Sequence, residues 1–263
     1  MDLEIDGNVA LVTASSSGLG KASATALAAN GVDVVLNGRD PDRLEAAAED
    51  VRSVASGRVV TQPGDITDPD AITDLVDRTI DEFGRLDHLV TSAGGPPSGR
   101  FLDISEEEWY EAYDLLVMSV VRLVHAAEPH LKADGGGTIV TITSKSVKEA
   151  IDALVLSNAV RMSVIGLEKT LSKELAPEIR VNAVLPGSIE TARIEELKQD
   201  AVDRGEYDTY DEAIDAASEA IPLGRLGEPN ELGDVVAFLS SPRSGFVSGA
   251  AVPIDGGSGA SNL

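Results

Sequence analysis

The stretch of this chain best suited to chemistry near its start is Thr13-Ala14-Ser15-Ser16-Ser17-Gly18-Leu19-Gly20, set between the apolar run NVALVT and the small-residue run KASATALAANG. Glycines at 18 and 20 let a backbone turn tightly and approach a ligand closely. The helix that follows offers free N–H groups and the positive end of its dipole. With a strand before and a helix after, that combination suits a pyrophosphate, hence a dinucleotide. A second stretch, VVLNGRD, ends a later apolar run with Arg39 following Gly38. A carboxylate at such a strand end holds the ribose hydroxyls of NAD, whereas an arginine nearby holds the 2′-phosphate of NADP. Arg39 therefore favours NADP(H) over NAD(H), while Asp40 beside it would either cap the next helix or repel a phosphate.

These groups need a frame to hold them. Strands are expected at 8–13, 32–37, 58–62, 86–91, 137–143, 179–185 and 250–255, where β-branched apolar residues run together. Between them, amphipathic segments predict helices near 18–30, 40–55, 68–83, 105–132, 150–176 and 228–240, several with cap signals such as Asp40-Pro41, Asp68-Pro69 and Ser105 with Glu108. Strand followed by helix, over and over, predicts an α/β fold: a Rossmann-type doubly wound parallel sheet of about seven strands with helices on both faces. The reading is one domain over residues 1–263. The acidic stretch at about 188–227 interrupts the alternation with two short helices and reads as a lid-like insertion.

Composition sets limits. The 263 residues carry 45 acidic against 21 basic side chains, a net charge of −24, so no basic footprint for nucleic acid is expected. The acids are spread along the chain; only seven of the basic residues are lysine and aromatics make up 3%. That pattern fits a solvated surface and also adaptation to a very salty cytoplasm, a halophilic reading, in which screening removes the self-repulsion. There is no cysteine, and the three histidines are scattered, so neither a disulfide nor a metal site is expected. No stretch reaches the length of a membrane span, and no basic and apolar leader opens the chain; a cytoplasmic protein is the expectation.

With these motifs in place the chain resembles the short-chain dehydrogenase/reductase family over nearly its whole length. The family's T-G-x-x-x-G-x-G appears as Thr13 to Gly20, with Ala14 in place of the first glycine. The resemblance implies cofactor contacts from Thr13, Ser15, Ser17, Gly18, Leu19 and Gly20. It implies adenine contacts from Asp65 and Ile66, and contacts from Ser92, Ala93 and Gly94, where Thr91-Ser92 replace two asparagines. Near the nicotinamide it implies Pro186, Gly187, Ile189 and Thr191. The tail GRLGEPNELGDVVAFLSSPRSGFVSGAAVPIDGG matches the family's last segment. A homodimer or homotetramer built on the helices at 105–132 and 150–176 is the implied assembly.

The family's proton-transfer apparatus is where this sequence departs. Ser144, in TITSKSV, matches the serine that orients a substrate carbonyl. Thirteen residues on, at the tyrosine position, stands Ser157; the lysine position four residues later is Arg161, and the asparagine position falls on Leu116. A serine hydroxyl is a poor general acid, and Arg161 keeps a permanent charge that can hold ribose hydroxyls or an anionic substrate group but cannot shuttle protons. Lys145, Lys148, Tyr113, Tyr207 and Tyr210 are possible stand-ins. The sequence thus resembles a divergent, 3-oxoacyl-ACP-reductase-like subgroup that lacks the tyrosine–lysine pair. The reading is an NAD(P)(H)-dependent oxidoreductase acting on a small carbonyl or alcohol, with Ser144, Ser157 and Arg161 at its centre. The alternative is an inactive dinucleotide- or ligand-binding homologue serving as a sensor or oligomer partner.

Overall fold

The computed structural model describes residues 1–261, the side chain of Asp134 excepted. Seven strands form one sheet: β1 (Val9–Val12), β2 (Asp33–Gly38), β3 (Val59–Pro63), β4 (His88–Thr91), β5 (Gly137–Ile142), β6 (Ile179–Pro186) and β7 (Ala251–Ile254). Their order is β3-β2-β1-β4-β5-β6-β7, and every neighbouring pair is parallel. The order reverses between β1 and β4, so a crevice opens at their carboxyl ends, the place where such sheets bind ligands.

Strand periodicity sends alternate residues to opposite faces. Val34 and Leu36 pack into one apolar cluster and Val35 into the other. The first face is covered by α1 (Gly18–Ala29), α2 (Pro41–Arg52) and α9 (Pro229–Ser240). The second is covered by α3 (Pro69–Phe83), α5 (Ser119–Leu131) and the far half of α6 (Val155–Glu174). Caps behave as their residue types require. Asp40 accepts from the Asp42 and Arg43 amides, Asp68 from that of Asp70, and Ser105 forms a reciprocal box with Glu108. Helices α1 and α9 touch backbone to backbone: a Cβ on Gly233 would lie 2.5 Å from the Ala22 carbonyl oxygen.

Two expected helices come out shorter than their sequences suggest. The segment 105–132 is not one helix but α4 (Glu106–Tyr113), a π-helical turn at Asp114–Met118, and α5. The segment 150–176 becomes helical only at Val155. Ala153 sits at φ +56° before it, and the Asn158 side chain pins the loop by accepting from the Ile151 amide and donating to its carbonyl. The insertion holds α7 (Ala192–Asp203) and α8 (Tyr210–Glu219), joined through Ile194, Ile214, Ala217, Ile221 and Leu226. Its two ends are tied together: the Glu190 amide donates to the Gly227 carbonyl and the Gly227 amide to that of Ser188.

Candidate active site

One cleft of about 810 Å³ runs along the carboxyl ends of the strands, from the β1–α1 turn past the end of β2 to the start of α6 and the insertion. Each stretch of its wall is set by local backbone demands. Gly18 holds φ +55°, and a Cβ on Gly20 would overlap the Ala14 carbonyl oxygen at 2.4 Å, so the turn admits no side chain there. Ser17 precedes α1 without capping it through its side chain, which leaves the first-turn N–H groups of that helix open toward the cleft. These are the features a pyrophosphate needs, and no other described residue competes for the donors.

Ala14 is the departure with a structural cost, since it adopts φ +46°. Alanine in the left-handed region is strained, and glycine is not. Ala14→Gly is therefore expected to stabilise the fold by about 1 kcal/mol, read as a higher urea midpoint at unchanged slope.

Two residues expected among the cofactor contacts do not line the cleft. Ser15 is fully buried; its hydroxyl donates to the Val12 carbonyl at 2.8 Å and accepts from the Asn37 amide at 3.0 Å. Thr13 is buried too and staples β1 to β4, donating to the Ser92 carbonyl at 2.7 Å and accepting from its amide at 2.9 Å. Both position the turn; Ser16 and Ser17 are the serines that face the cleft. Asn37 does similar work, its amide nitrogen donating to the carbonyls of Gln62 and Gly64. The structure brings Gly18, Leu19, Gly20, Arg39, Asp65, Ile66, Ser92, Ala93, Gly94, Pro186, Gly187, Ile189 and Thr191 onto the cleft wall.

At the end of β2, Arg39 extends into solvent with Asp65 3.9 Å from its guanidinium, and Arg43 joins it on the wall. Asp40 is turned away: its carboxylate is spent on the amides of α2 and it does not line the cleft. Asp40 therefore does not oppose a phosphate there, and Asp65 is the carboxylate that shares this end of the wall with Arg39 and Arg43.

The other end carries Ser144, Ser157 and Arg161. Ser144 leaves β5 extended and starts a short 3₁₀ turn, accepting from the Ser146 amide at 3.1 Å. Ser157, in the first turn of α6, shares a 3.0 Å hydrogen bond with the buried Ser146 hydroxyl. The three serines form a compact hydroxyl group in which Ser146 was not anticipated. One turn on, Arg161 is 8% exposed, and its Nε has no partner. Burial, with the Arg193 cation nearby, draws its pKa down to about 10, so it stays charged through the neutral range. None of Lys145, Lys148, Tyr113, Tyr207 and Tyr210 lines the cleft, and Lys145 is tied to Glu149 at 3.1 Å.

Behind Arg161 lies a small chamber of about 10 Å³, walled by Thr91, Leu116, Ser119, Thr141 and Val164. The π-helical turn delivers Leu116 to it. Further along α6, Glu168 is buried, accepts from the Thr141 hydroxyl at 2.5 Å, and has no partner on Oε2; desolvation raises its pKa to about 8. Thr91 in turn donates to Thr141 at 2.8 Å. Among the described residues no cluster of acidic and imidazole side chains could hold a metal ion.

The family model described as enoyl-(acyl carrier protein) reductase matches residues 13–259. The chain belongs to the short-chain dehydrogenase/reductase family. Similar members include the 3-oxoacyl-[acyl-carrier-protein] reductase FabG of Thermotoga maritima, 31% identical over 97% of this chain and 99% of that protein. Dehydrogenase/reductase SDR family member 4 of Caenorhabditis elegans is 32% identical over 96% of this chain and 95% of its own. The crystal structure of L-sorbose reductase from Gluconobacter frateurii, complexed with NADPH and L-sorbose, superposes with a TM-score of 0.93 at 30% identity, covering 99% of this chain and all of that one. By family this chain is an NAD(P)-dependent oxidoreductase of 3-oxoacyl-reductase-like type.

Proposed function

We propose that this protein is an NADP(H)-dependent reductase of a small carbonyl compound that works without a side-chain proton donor. The observation that carries this reading is the continuity of the cleft, which joins an uncapped helix N-terminus, Arg39 and Arg43 at one end to Ser144, Ser157 and Arg161 at the other. The first-turn amides of α1 would hold the pyrophosphate, Arg39 and Arg43 the 2′-phosphate, Asp65 and Ile66 the adenine end, and Arg161 the nicotinamide ribose. When bound, the reduced cofactor would supply a hydride to the carbonyl carbon. Ser144 and Ser157 donate hydrogen bonds to the carbonyl oxygen and orient it. Arg161 places a fixed positive charge where negative charge develops on that oxygen, which stabilises the transition state electrostatically. The proton then comes from water, because neither serine nor arginine releases one near neutral pH.

Titration of NADPH and NADH at constant high salt tests the reading. Micromolar NADPH binding supports it; a folded protein that binds neither cofactor refutes it. Replacing both Arg39 and Arg43 by alanine is expected to weaken NADPH on the order of tenfold to a hundredfold, the scale of lost charge-assisted bonds, and to leave NADH nearly unchanged. A second reading, a binding homologue without turnover, is favoured by the Ser157 hydroxyl being engaged with Ser146. It predicts NADPH binding with no oxidation by any carbonyl.

Assembly belongs to the same proposal. Phe101, Leu102, Tyr110, Tyr113 and Met162 are exposed around α4 and α6, a patch suited to a second copy of the chain. Among the described residues no helix is long and apolar enough to cross a membrane. A cytoplasmic location in high salt is part of the same reading.

A further inference from the structure

Arg161 presents an imbalance that a neutral carbonyl does not correct. The residue is more than nine-tenths buried, its Nε has no partner, and its guanidinium forms no ion pair or hydrogen bond with any described residue. An isolated buried cation is among the costliest groups a fold can carry, and folds keep one where an anion will meet it. The chamber behind it, about 10 Å³ and bordered by the hydroxyls of Thr91, Thr141 and Ser119, has room for about one water molecule, which would solvate without neutralising. Ribose hydroxyls would likewise give hydrogen bonds and no negative charge.

The other charges on the wall fix how much anion fits. Arg193, on the first turn of α7, is also in the cleft, but it is already paired with Glu196 at 2.8 Å and donates to the Pro96 carbonyl at 2.7 Å. Asp114 is neutralised by Arg122 at 2.7 Å, while Glu111 stands on the same wall as an unpaired carboxylate. Arg161 is thus the one unpaired cation at that end, and the unpaired carboxylate of Glu111 on the same wall offsets it overall and would oppose a second negative charge on the ligand. A planar monocarboxylate matches both that charge and the donor fork of a guanidinium better than a dianionic phosphate does.

We propose that the substrate is an oxo-acid, a carbonyl compound carrying its own free carboxylate, and that Arg161 is the residue that selects it. The reaction assigned to this ligand rests on the reductase reading above; its binding does not.

Calorimetric titration separates the two. The probes are pyruvate and acetoacetate, each against its methyl ester, added to the protein saturated with NADP⁺ at fixed ionic strength. At least one acid should bind about tenfold or more tighter than its ester, the scale of a charge-assisted bidentate contact. Arg161→Gln should abolish that preference, and Arg161→Lys, which keeps the charge and loses the fork, should retain part of it. Equal affinity for acid and ester, no binding of either acid, or a preference that survives Arg161→Gln in a folded variant would overturn the proposal. The wild-type comparison stands even where the glutamine variant fails to fold. NADPH oxidation with the same four compounds is the second readout. Acid-selective binding with no oxidation removes the reductase reading and leaves the anion site. Esters oxidised as fast as acids remove the anion site and leave the reductase.

Discussion

Changing Ser157 to tyrosine together with Arg161 to lysine is expected to raise the rate of NADPH oxidation with methyl acetoacetate on the order of 10²–10⁴-fold, the usual contribution of a positioned general acid. The position is ready for it. Ser157 lies on the cleft wall in the first turn of α6, and residue 161 follows one turn later on the same face. A phenol there gains a cationic neighbour that lowers its pKa toward neutrality, and it reaches the carbonyl oxygen that a serine only orients. Ser146 must yield its hydrogen bond to the residue at 157. The ester is the correct probe because the lysine variant loses the fork that holds a carboxylate. A pre-steady-state measurement at pH 7 checks the prediction on the chemical step. An unchanged rate would show that proton delivery does not limit the native reaction.

The second large effect concerns stability. Glu168 is neutral in the folded chain up to about pH 8 because burial disfavours its charge, whereas in the unfolded chain it ionises near 4.5. Between those values the folded state holds one more proton than the unfolded state, so this residue makes stability fall as pH rises, and the loss is complete above the folded value. A shift of this size corresponds to a few kcal/mol. Glu168→Gln copies the neutral form, still accepting from Thr141, and should remove that slope. Urea melts at pH 5 and pH 8.5 should show the wild type losing a few kcal/mol more than the variant. Parallel losses in the two proteins would mean that Glu168 is already charged in the fold. Taking the difference between them cancels the general repulsion among the other acids, which both share.

The sheet could be read from sequence because parallel strands buried on both faces must be continuous apolar runs, and Val34-Val35-Leu36 or Thr138-Ile139-Val140 are such runs. The caps at Asp40, Asp68 and Ser105 were equally legible, since side-chain capping is decided within a few residues. What escaped was whatever depends on distant parts of the chain. Nothing in EEWYEAYDLLVMSVV breaks a helix, yet Asp114–Met118 winds as a π turn. In ASSS the three serines are chemically identical, and only the packing of β1 against β2 buries Ser15 and presents Ser16 and Ser17. Ser157 and Arg161 were found by position, but their surroundings were not. Ser146 arrives from the loop after β5, Arg193 from the insertion, and Thr141 meets Glu168 across the space between strand and helix.

The contact between α1 and α9 bears on how the molecule comes into being. The β1–α1 turn is synthesised well before α9, yet the helix that follows the turn is seated against Gly233 of α9. A nascent chain with its first six strands formed would have α1 packed on the sheet but still uncovered on the side that carries Ala22 and Ala26. Ligand affinity should therefore be absent through most of translation and arrive late, in one step, when α9 emerges and docks. A cofactor held at that turn would then bind after α9 has docked and could not act as an early folding template.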